Sequence, residues 1–263
     1  MTCTIVIATH KPYRMPSAPC YLPLHVGRAG KEDIGFSGDD TGENISQKNP
    51  FYCELTGLYW LWRNVDSDYK GLVHYRRHFG GSGKSKNPWE RILTQGELEE
   101  LLKEHDVLLP RKRRYYIESL YSHYAHTHYG EHLDVTREII EAQCPQYLPA
   151  FDRVMGRTWG HMFNMFVMKG EKCDAYCAWL FPILEQLEGR VDYEFRTTVV
   201  RQFHDAQSFA DMGPWIAGAK RYYLQTYTHR DTVLRPGLSS WDGETMAGFA
   251  AQMRPYVSHV EVR

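Results

Sequence analysis

The segment Asn44–Phe79 most constrains how this chain can fold, because it contains a predicted helix, a polar turn and a buried strand in succession. Asn49 followed by Pro50 suits a helix start, since proline has no N–H to lose at the first helical position. One apolar face then recurs at helical spacing: Leu55, Leu58, Tyr59 and Trp62. Gly71–Val73 predicts a short strand that ends in His74–His78. Two guanidiniums and two imidazoles just past a strand are costly to bury without an anion, so this strand end is a candidate anion-binding site.

Composition narrows the class of protein. At 263 residues the chain fits one large α/β domain or two small ones. Its formal net charge of −1 argues against a nucleic-acid partner, and any basic site must therefore be local. The six cysteines form no CxxC pair, and no apolar run is long enough for a signal peptide or a membrane span. We therefore expect a reduced, cytoplasmic protein.

Strands and helices are predicted to alternate, which favours an α/β fold. The β-branched apolar run over residues 4–8 predicts a first buried strand that ends at Thr9, and residues 106–110 and 161–169 predict further strands. Helices are predicted over 94–104 and over 171–187, the latter interrupted at Pro182. Beyond residue 189 the pattern weakens, and only a helix near 216–227 is indicated.

Two motifs suggest phosphate or metal chemistry but have plainer readings. GGSGKS, at 80–85, lacks the earlier glycine of a phosphate loop, because position 78 is His78, and Asn87 with Pro88 interrupts the helix that should follow. Asp66 and Asp68 match the Asp-x-Asp pattern that binds a divalent metal in many sugar transferases. They precede the Gly71–Val73 strand, however, whereas ligands gather beyond the carboxyl ends of strands. We therefore expect GGSGKS to be a surface loop, and Asp66 and Asp68 to lie in a solvated turn.

A histidine cluster and a basic run are further candidates. The cluster contains His123, His126, His128 and His132. Because His128 and His132 are four residues apart and could share a helix face, a zinc site stays an alternative, although the sequence identifies no third ligand. One of these histidines, Glu131 or Asp134 is equally a candidate general base. Arg111–Arg114 follow a predicted strand, as Arg76 and Arg77 do, so two basic loops are predicted to converge at one sheet edge that suits a diphosphate.

Several long motifs together resemble one bacterial family. They are IVIATHKPYRMP, DDTGENIS, ISQKNPFYCELTGLYWLWRN, GLVHYRRHF, LLPRKRRYYIESLYSHY, HYGEHLDVTREII and HMFNMFVMKGEKCDAYCAWLFPILEQLE, spread in order over residues 3–190. The family is domain of unknown function 4422. Its members occur in capsular and exopolysaccharide gene clusters and are assigned as glycosyltransferases, some implicated in galactofuranose transfer. The chain departs from the family pattern after about Asp192.

The resemblance implies a fold and a set of ligands. It implies a GT-A-like α/β domain over 1–190, with a nucleotide-binding sheet, flanking helices and an attached acceptor-side region; residues 191–263 are a divergent segment expected to pack on the same domain. The implied activity is a hexosyltransferase that uses a nucleotide-diphosphate sugar, such as a UDP-sugar, and a glycan or lipid-linked glycan acceptor. Peripheral contact with the inner face of the cell membrane follows from such an acceptor. A basic strand end in place of Asp-x-Asp implies that no metal is required, while Mg²⁺ or Mn²⁺ stays an alternative.

Residue roles follow from the same resemblance and from the basic loops. The expected nucleotide-sugar-binding residues are Thr9, His10, Lys11, Asp39, Asp40, Glu54, Thr56, His74, Tyr75, Arg76, Arg77, Lys112, Arg113, His161 and Asn164. The candidates for the catalytic base are Asp134, His128 and Glu131. Two other functions stay open: a zinc-dependent hydrolase built on the histidine cluster, and a non-catalytic module that binds a nucleotide sugar or a glycan.

Overall fold

A six-stranded sheet carries the residues predicted to form the site. The computed structural model describes residues 1–191, 194–228 and 237–263. The chain divides into a first unit, Met1–Glu188, and a second unit, Gly189–Arg263. The strands of the first unit are β1 (Cys3–Thr9), β2 (Tyr21–His25), β3 (Ser37–Gly38), β4 (Tyr69–His74), β5 (Val107–Leu108), β6 (Arg113–Arg114), β7 (Trp159–Gly160) and β8 (Phe166–Lys169).

The sheet order places the predicted strand ends at one edge. It is β3-β2-β1-β4-β8-β5, with β6 and β7 forming a separate antiparallel pair. β1 runs parallel to β2 and β4, and β2 runs parallel to β3. β8 is antiparallel to both β4 and β5, so β5 points the same way as β4. The carboxyl ends of β1 to β5 therefore lie at the same edge, as predicted for the two basic loops.

Both faces of the sheet are covered, which explains the apolar runs at 5–8 in β1 and at 71–73 in β4. Successive β1 side chains point to opposite faces. Ile5 and Ile7 pack in a cluster with Leu98 and Leu102, whereas Val6 and Ala8 pack in a second cluster with other helices. Burying each such aliphatic side chain contributes about 1.5–3 kcal/mol.

The helices of the first unit cover these faces and extend beyond the sheet. They are α1 (Asn49–Tyr52), α2 (Leu55–Asn64), α3 (Gln95–Glu104), α4 (Leu120–Thr127), α5 (Glu131–Gln143), α6 (Leu148–Met155) and α7 (Gly170–Leu187), with 3-10 turns at Ser46–Lys48, Pro88–Arg91 and Pro145–Tyr147. The predicted interruption at Pro182 is wrong, because α7 continues through this residue. No helix in the described parts of the chain has the length and apolar character needed to cross a membrane.

The predicted helix after Asn49 is in fact two helices. Cys53 separates α1 from α2 and adopts φ of 49°, a left-handed conformation that a non-glycine residue rarely takes. Glu54 consequently stands at the N-cap of α2. The break directs this carboxylate towards the end of β4, as the contacts below show.

The second unit is a small α/β unit that sequence patterning missed. It contains β9 (Glu194–Val199), α8 (Ala206–Trp215), β10 (Arg221–Thr226), α9 (Gly243–Met253) and β11 (His259–Val262). Its sheet has the order β11-β10-β9 with all strands parallel, over a core that includes Phe209, Tyr222 and Phe249. The predicted helix near 216–227 is wrong, because Gly218 lies in a turn at φ of 88° and β10 follows it.

Candidate functional site

The end of β1 forms a tight turn. Thr9 is fully buried, and its hydroxyl donates a hydrogen bond of 2.7 Å to the Lys11 carbonyl oxygen. His10 and Lys11 then lie at the surface. Thr9 thus fixes the turn that presents the next two side chains, instead of being exposed itself.

Aromatic and cationic side chains surround the ring of Tyr75. The ring centroids of His10 and Tyr13 lie 5.3 and 5.0 Å from it. The Lys11 ammonium and the Arg76 guanidinium lie 5.5 and 5.0 Å from its centroid. The pKa of His10 is lowered, chiefly by burial and then by the nearby Lys11, Lys31, Arg76 and His25 charges. The histidine is therefore neutral near pH 7, and the net charge of this group comes from lysine and arginine.

The aromatic surface continues away from Tyr75. The Tyr13 and Trp89 rings are 6.2 Å apart, and the Arg14 guanidinium lies 4.7 Å from the Trp89 ring. Sequence reasoning missed Tyr13, Arg14 and Trp89. Tyr13 and Arg14 could have been found, because they follow the end of β1 directly, but nothing in the sequence brings Trp89 to the same place.

The turn after β4 exposes two guanidiniums. The His74 and Arg77 main chains exchange hydrogen bonds of 3.2 and 2.9 Å, so Tyr75 and Arg76 lie at the tip. Arg77 stacks over Phe163, with its guanidinium carbon 4.5 Å from the ring centroid. Arg76 and Arg77 are both exposed, and neither has an ion-pair partner among the described residues. Two cations without counter-charges at a strand end suit an anionic ligand.

Glu54 and Asn164 meet beside His74. The Asn164 amide donates a 2.7 Å hydrogen bond to Glu54 Oε1, and His74 Nε2 lies 3.8 Å from the same oxygen. His74 Nε2 is also 2.6 Å from the Phe163 carbonyl oxygen, so this nitrogen carries the proton. The other Glu54 oxygen has no hydrogen-bond partner in the described part of the chain. Asn164 and His161 precede β8 and are not within it, which corrects the predicted start of that strand.

Left-handed backbone is concentrated around this carboxylate. Cys53, Phe163 and Asn164 have φ of 49°, 78° and 49°, and the remaining described non-glycine residue with positive φ is Tyr116. Each such conformation costs on the order of 1–3 kcal/mol and persists where surrounding structure enforces it, commonly at functional sites. Three of them flank the contact between Glu54 and Asn164.

Asp39 is a buried anchor beneath the site. It is 0% exposed. Its carboxylate accepts hydrogen bonds from the main-chain N–H groups of Gly27 (2.8 Å) and Arg28 (3.1 Å) and from the hydroxyls of Ser46 (2.5 Å) and Thr56 (2.6 Å). These four donors satisfy the buried charge. Asp39 therefore ties the 27–46 loop to α2, and Thr56 is committed to this network.

Asp40 and the second basic loop lie at the surface. Asp40 pairs with Arg28 at 3.5 Å. The Lys112 ammonium lies 3.9 Å from the Trp159 ring centroid, and Arg113 lies 5.4 Å from that of Tyr115. His161 Nδ1 is 2.5 Å from the Pro110 carbonyl oxygen, which connects the start of this loop to the segment before β8.

The three candidate bases lie in another part of the first unit. Asp134 accepts a 3.0 Å hydrogen bond from the Tyr121 hydroxyl, and the His128 ring stacks at 4.7 Å on Tyr124. Glu131 is the first residue of α5. The hydrogen bond between Tyr121 and Asp134 joins α4 to α5, and the structure does not bring Asp134 into contact with the residues at the end of β4.

The histidines of the cluster contact nearby polar side chains. His123 and His126 both contact the Glu118 carboxylate, at 2.8 and 2.6 Å, and these contacts lower the pKa of Glu118. His132 Nδ1 is 3.0 Å from the Tyr124 hydroxyl. Over the described ranges, no group of three or more His, Cys, Asp or Glu side chains is placed to hold a metal ion. The geometry therefore does not favour the zinc-hydrolase alternative.

The Asp-x-Asp pair at 66–68 and the glycine-rich loop at 80–85 both form hydrogen bonds with neighbouring residues. Asp68 Oδ2 accepts a 2.7 Å hydrogen bond from the Thr2 main chain, which places it at the amino end of β1 and β4. Ser82 of the glycine-rich loop donates to Glu97, which also completes a capping box with Thr94. These hydrogen bonds lower the pKa of Glu97 to about 2. Asp68 therefore lies at the opposite edge from the candidate site, and the glycine-rich loop is fixed at the start of α3.

The second unit has a cavity of its own, of about 450 Å³. It is lined by Thr198, Gln225, Thr226, Tyr227, Thr228 and Arg263. None of the residues predicted to bind the nucleotide sugar lines it. We place the candidate site at the carboxyl edge of the six-stranded sheet, where most of those residues converge.

Comparison with known proteins supports the fold. A family described as a domain of unknown function (DUF4422) matches residues 4–204. No curated protein gives a significant match. A solved structure described as the WbbM bifunctional glycosyltransferase in its apo form is 24% identical, with a TM-score of 0.68; the match covers 100% of this chain and 60% of that one. At this identity the likeness shows the fold alone, which is the predicted GT-A-like α/β fold.

Proposed function

The chain belongs to the DUF4422 family, and we propose that it is a glycosyltransferase that moves a sugar from a nucleotide-diphosphate donor to a glycan acceptor. The chain spans about 60% of the length of the glycosyltransferase that shares its fold. The activity named for that protein therefore supports the proposal without establishing it.

The observation that carries the proposal is the convergence at the ends of β1 and β4. His10 and Tyr13 are exposed and pack against the buried Tyr75 ring, so they present aromatic surface on which a nucleobase can stack. Lys11, Arg76 and the neighbouring Arg77 supply positive charge for a diphosphate. Glu54, fixed by Asn164, leaves one carboxylate oxygen to accept a hydrogen bond from a sugar hydroxyl. A nucleotide sugar requires these three kinds of contact.

The residues at the end of β4 do not fit the divalent metal that an Asp-x-Asp motif holds in other GT-A enzymes. Hard cations need several oxygen ligands, whereas this strand end offers His74, Tyr75, Arg76 and Arg77. The acidic pair Asp66 and Asp68 precedes the strand. We therefore assign neutralisation of the leaving diphosphate to Arg76 and Arg77, assisted by Lys112 or Arg113.

The transfer step makes defined demands on these groups. The acceptor hydroxyl oxygen bonds to the anomeric carbon while the bond from that carbon to the phosphate oxygen breaks. The electron pair leaves with the nucleoside diphosphate, where guanidinium groups stabilise the developing charge. The hydroxyl proton passes to a base. Asp134, His128 and Glu131 are the candidates proposed from the sequence, and none of them contacts the residues of the proposed donor site at the end of β4 in the described part of the chain.

The finer assignments rest on the family resemblance. The proposed donor is a UDP-sugar, with UDP-galactofuranose as one candidate, and the proposed product is a capsular or exopolysaccharide glycan. A lipid-linked acceptor would place the enzyme in the cytoplasm at the inner face of the membrane. Of the remaining predicted contacts, Asp40 and His161 stay proposed ligand contacts, whereas Thr9, Asp39 and Thr56 are fully buried and can only support the site from within.

A ligand panel tests the proposal. UDP-galactofuranose, UDP-galactopyranose, other nucleotide sugars and UMP are compared by thermal unfolding, since a ligand that binds only the folded state raises Tm. We expect a UDP-sugar to raise Tm and UMP, which lacks the diphosphate, to have a smaller effect. Sugar transfer to a glycan acceptor is then assayed with the best donor. Absence of any nucleotide-sugar binding contradicts the proposal, and binding without transfer favours the non-catalytic module.

A further inference from the structure

Tyr116 and Ile117 form an apolar projection from the first unit. They are 82% and 94% exposed, the highest values of any large hydrophobic side chain in the described ranges. Single exposed apolar residues are common on protein surfaces. Two adjacent side chains of this size, left almost wholly in water, are not explained by packing of the first unit.

The main chain on both sides of this projection is anchored. β6 pairs with β7, the Tyr115 N–H donates to the Thr158 carbonyl oxygen at 2.7 Å, and the Leu120 N–H donates to that of Arg157 at 2.7 Å. Tyr116 has φ of 60°, a conformation that tyrosine rarely adopts. The projection is thus a turn built on a paired strand.

Four cations lead into the turn. Arg111, Lys112, Arg113 and Arg114 are all exposed, and no carboxylate pairs with any of them within the described part of the chain. The adjacent acidic residue, Glu118, is already bound by His123 and His126. Residues 111–117, which we call the basic tip, therefore combine uncompensated positive charge with an exposed apolar end.

We propose that the basic tip docks on the anionic lipid headgroups of a membrane surface, with Tyr116 and Ile117 entering the interface. Aromatic and aliphatic side chains at the headgroup boundary, together with nearby lysine and arginine, are the features by which peripheral proteins bind anionic membranes. The docking itself does not depend on the proposed function. Only its role does, which is to hold the enzyme beside a lipid-linked acceptor.

A lipid surface fits the basic tip better than a protein partner. A specific protein interface buries about 800 Å² on each side, far more than two side chains on a turn provide. A projecting tip can instead enter a fluid interface without a complementary groove. Arg111 and Arg114, which have no part in the proposed donor site, are exposed cations that a surface of many negative charges would match.

Vesicle co-sedimentation tests the docking, and it contains no nucleotide sugar, so failure of the proposed transfer would leave its result unchanged. Wild-type protein is mixed with vesicles of phosphatidylglycerol and phosphatidylcholine in equal parts, or of phosphatidylcholine alone. We expect binding to the anionic vesicles only, weakened at 0.5 M salt by screening. Replacing Tyr116→Ser and Ile117→Ser together should weaken that binding by roughly tenfold.

Two further variants separate apolar from charged contributions. Arg111→Gln with Arg114→Gln should weaken binding to anionic vesicles while leaving the apolar end intact. The matched control, Leu101→Ser with Tyr147→Ser, removes two exposed apolar side chains elsewhere in the first unit and should bind as wild type. All variants are checked for unchanged thermal unfolding.

Three results would overturn the proposal. The first is no binding of the wild type to anionic vesicles, and the second is equal binding to neutral ones. The third is unchanged binding when Tyr116 and Ile117 are both serine. Self-association that disappears in the same serine variant, without vesicle binding, would assign the tip to a protein interface instead.

Discussion

The Asn164 amide donates a hydrogen bond of 2.7 Å to the Glu54 carboxylate across 110 positions of sequence. Both residues depend on left-handed main chain: Asn164 adopts it, and Glu54 follows Cys53, which does. The contact joins the start of α2 to the segment before β8, beside the end of β4. It therefore fixes a carboxylate where the proposed donor sugar would lie.

Replacing Glu54→Gln should reduce transfer more than nucleotide binding. The amide keeps the shape of the side chain but loses the charge that would accept a sugar hydroxyl bond, and such bonds strengthen in glycosyl transition states. We expect kcat to fall roughly 10–100-fold, with the Kd for UDP unchanged, because UDP lacks the sugar that Glu54 is proposed to contact. Calorimetry and initial rates measure the two quantities. Glu104→Gln, at the end of α3, is the matched control, and equal losses in both quantities would contradict the assignment.

Asn164→Ala should act through Glu54. Loss of the amide frees the carboxylate to rotate, so the fall in kcat should resemble that of Glu54→Gln. Because the two residues share one interaction, the double variant should be much less impaired than the sum of the single effects predicts. Additive effects on the logarithm of kcat would mean that the two side chains act independently.

Sequence patterns located the strand ends that form this site, but they did not reveal the contact between Glu54 and Asn164. The buried runs in β1 and β4 locate the strand ends, and with them Lys11 and Arg76, because period and burial are local properties. The left-handed conformations of Cys53 and Phe163 are imposed by tertiary packing on residues that do not favour them. No local pattern could have predicted the contact that these conformations allow.

The second unit was missed for a related reason. β10 is a short apolar run buried on both faces, and such a run cannot be told from a buried helix by its periodicity. Tyr222, Tyr223 and Leu224 therefore gave no alternation from which a strand could be identified. The family pattern, which supported the expectations for the first unit, weakens over the same residues.

Asp39→Asn should destabilise the protein strongly. The buried carboxylate accepts four hydrogen bonds. In asparagine an NH₂ group replaces one carboxylate oxygen, so hydrogen-bond donors that now bind that oxygen would meet another donor. We expect the free energy of unfolding to fall by about 3 kcal/mol, measured by urea denaturation. Asp40→Asn, which removes a partly exposed ion pair with Arg28, should cost less than about 1 kcal/mol. Similar losses for the two variants would show that the Asp39 network is not an anchor.

Stability should decline between neutral and mildly acidic pH, in part because of His78. Burial, with a smaller effect from the His74 charge, lowers the pKa of His78 below its ordinary value of 6.5. The unfolded chain then takes up a proton at higher pH than the folded one. The stabilisation is therefore present above pH 6.5 and is lost as pH falls towards the folded pKa.

The His78 contribution is measured by urea denaturation at pH 7.5, 6.5 and 5.5. His78→Gln should flatten the dependence of the free energy of unfolding on pH over this range. His105→Gln, at the C-cap of α3, is the control and should keep the wild-type slope. An unchanged slope in His78→Gln would refute the assignment.

Arg76→Ala should weaken donor binding because its guanidinium has no counter-charge in the described residues. Hydrogen bonds to charged groups contribute about 1.5–3 kcal/mol, so the Kd for a UDP-sugar should rise roughly 10–100-fold. Isothermal titration gives the Kd, and Lys103→Ala, an exposed cation on α3, controls for net charge. Unchanged donor affinity would remove Arg76 from the site.

The most direct test of the central claim is UDP release during sugar transfer in excess EDTA, for wild type and for Arg76→Ala with Arg77→Ala. If arginines neutralise the leaving diphosphate, wild-type turnover persists in the chelator and the double variant loses turnover by roughly 10²-fold or more. Wild-type turnover that EDTA abolishes and Mn²⁺ restores, with the double variant equally active, would contradict the account.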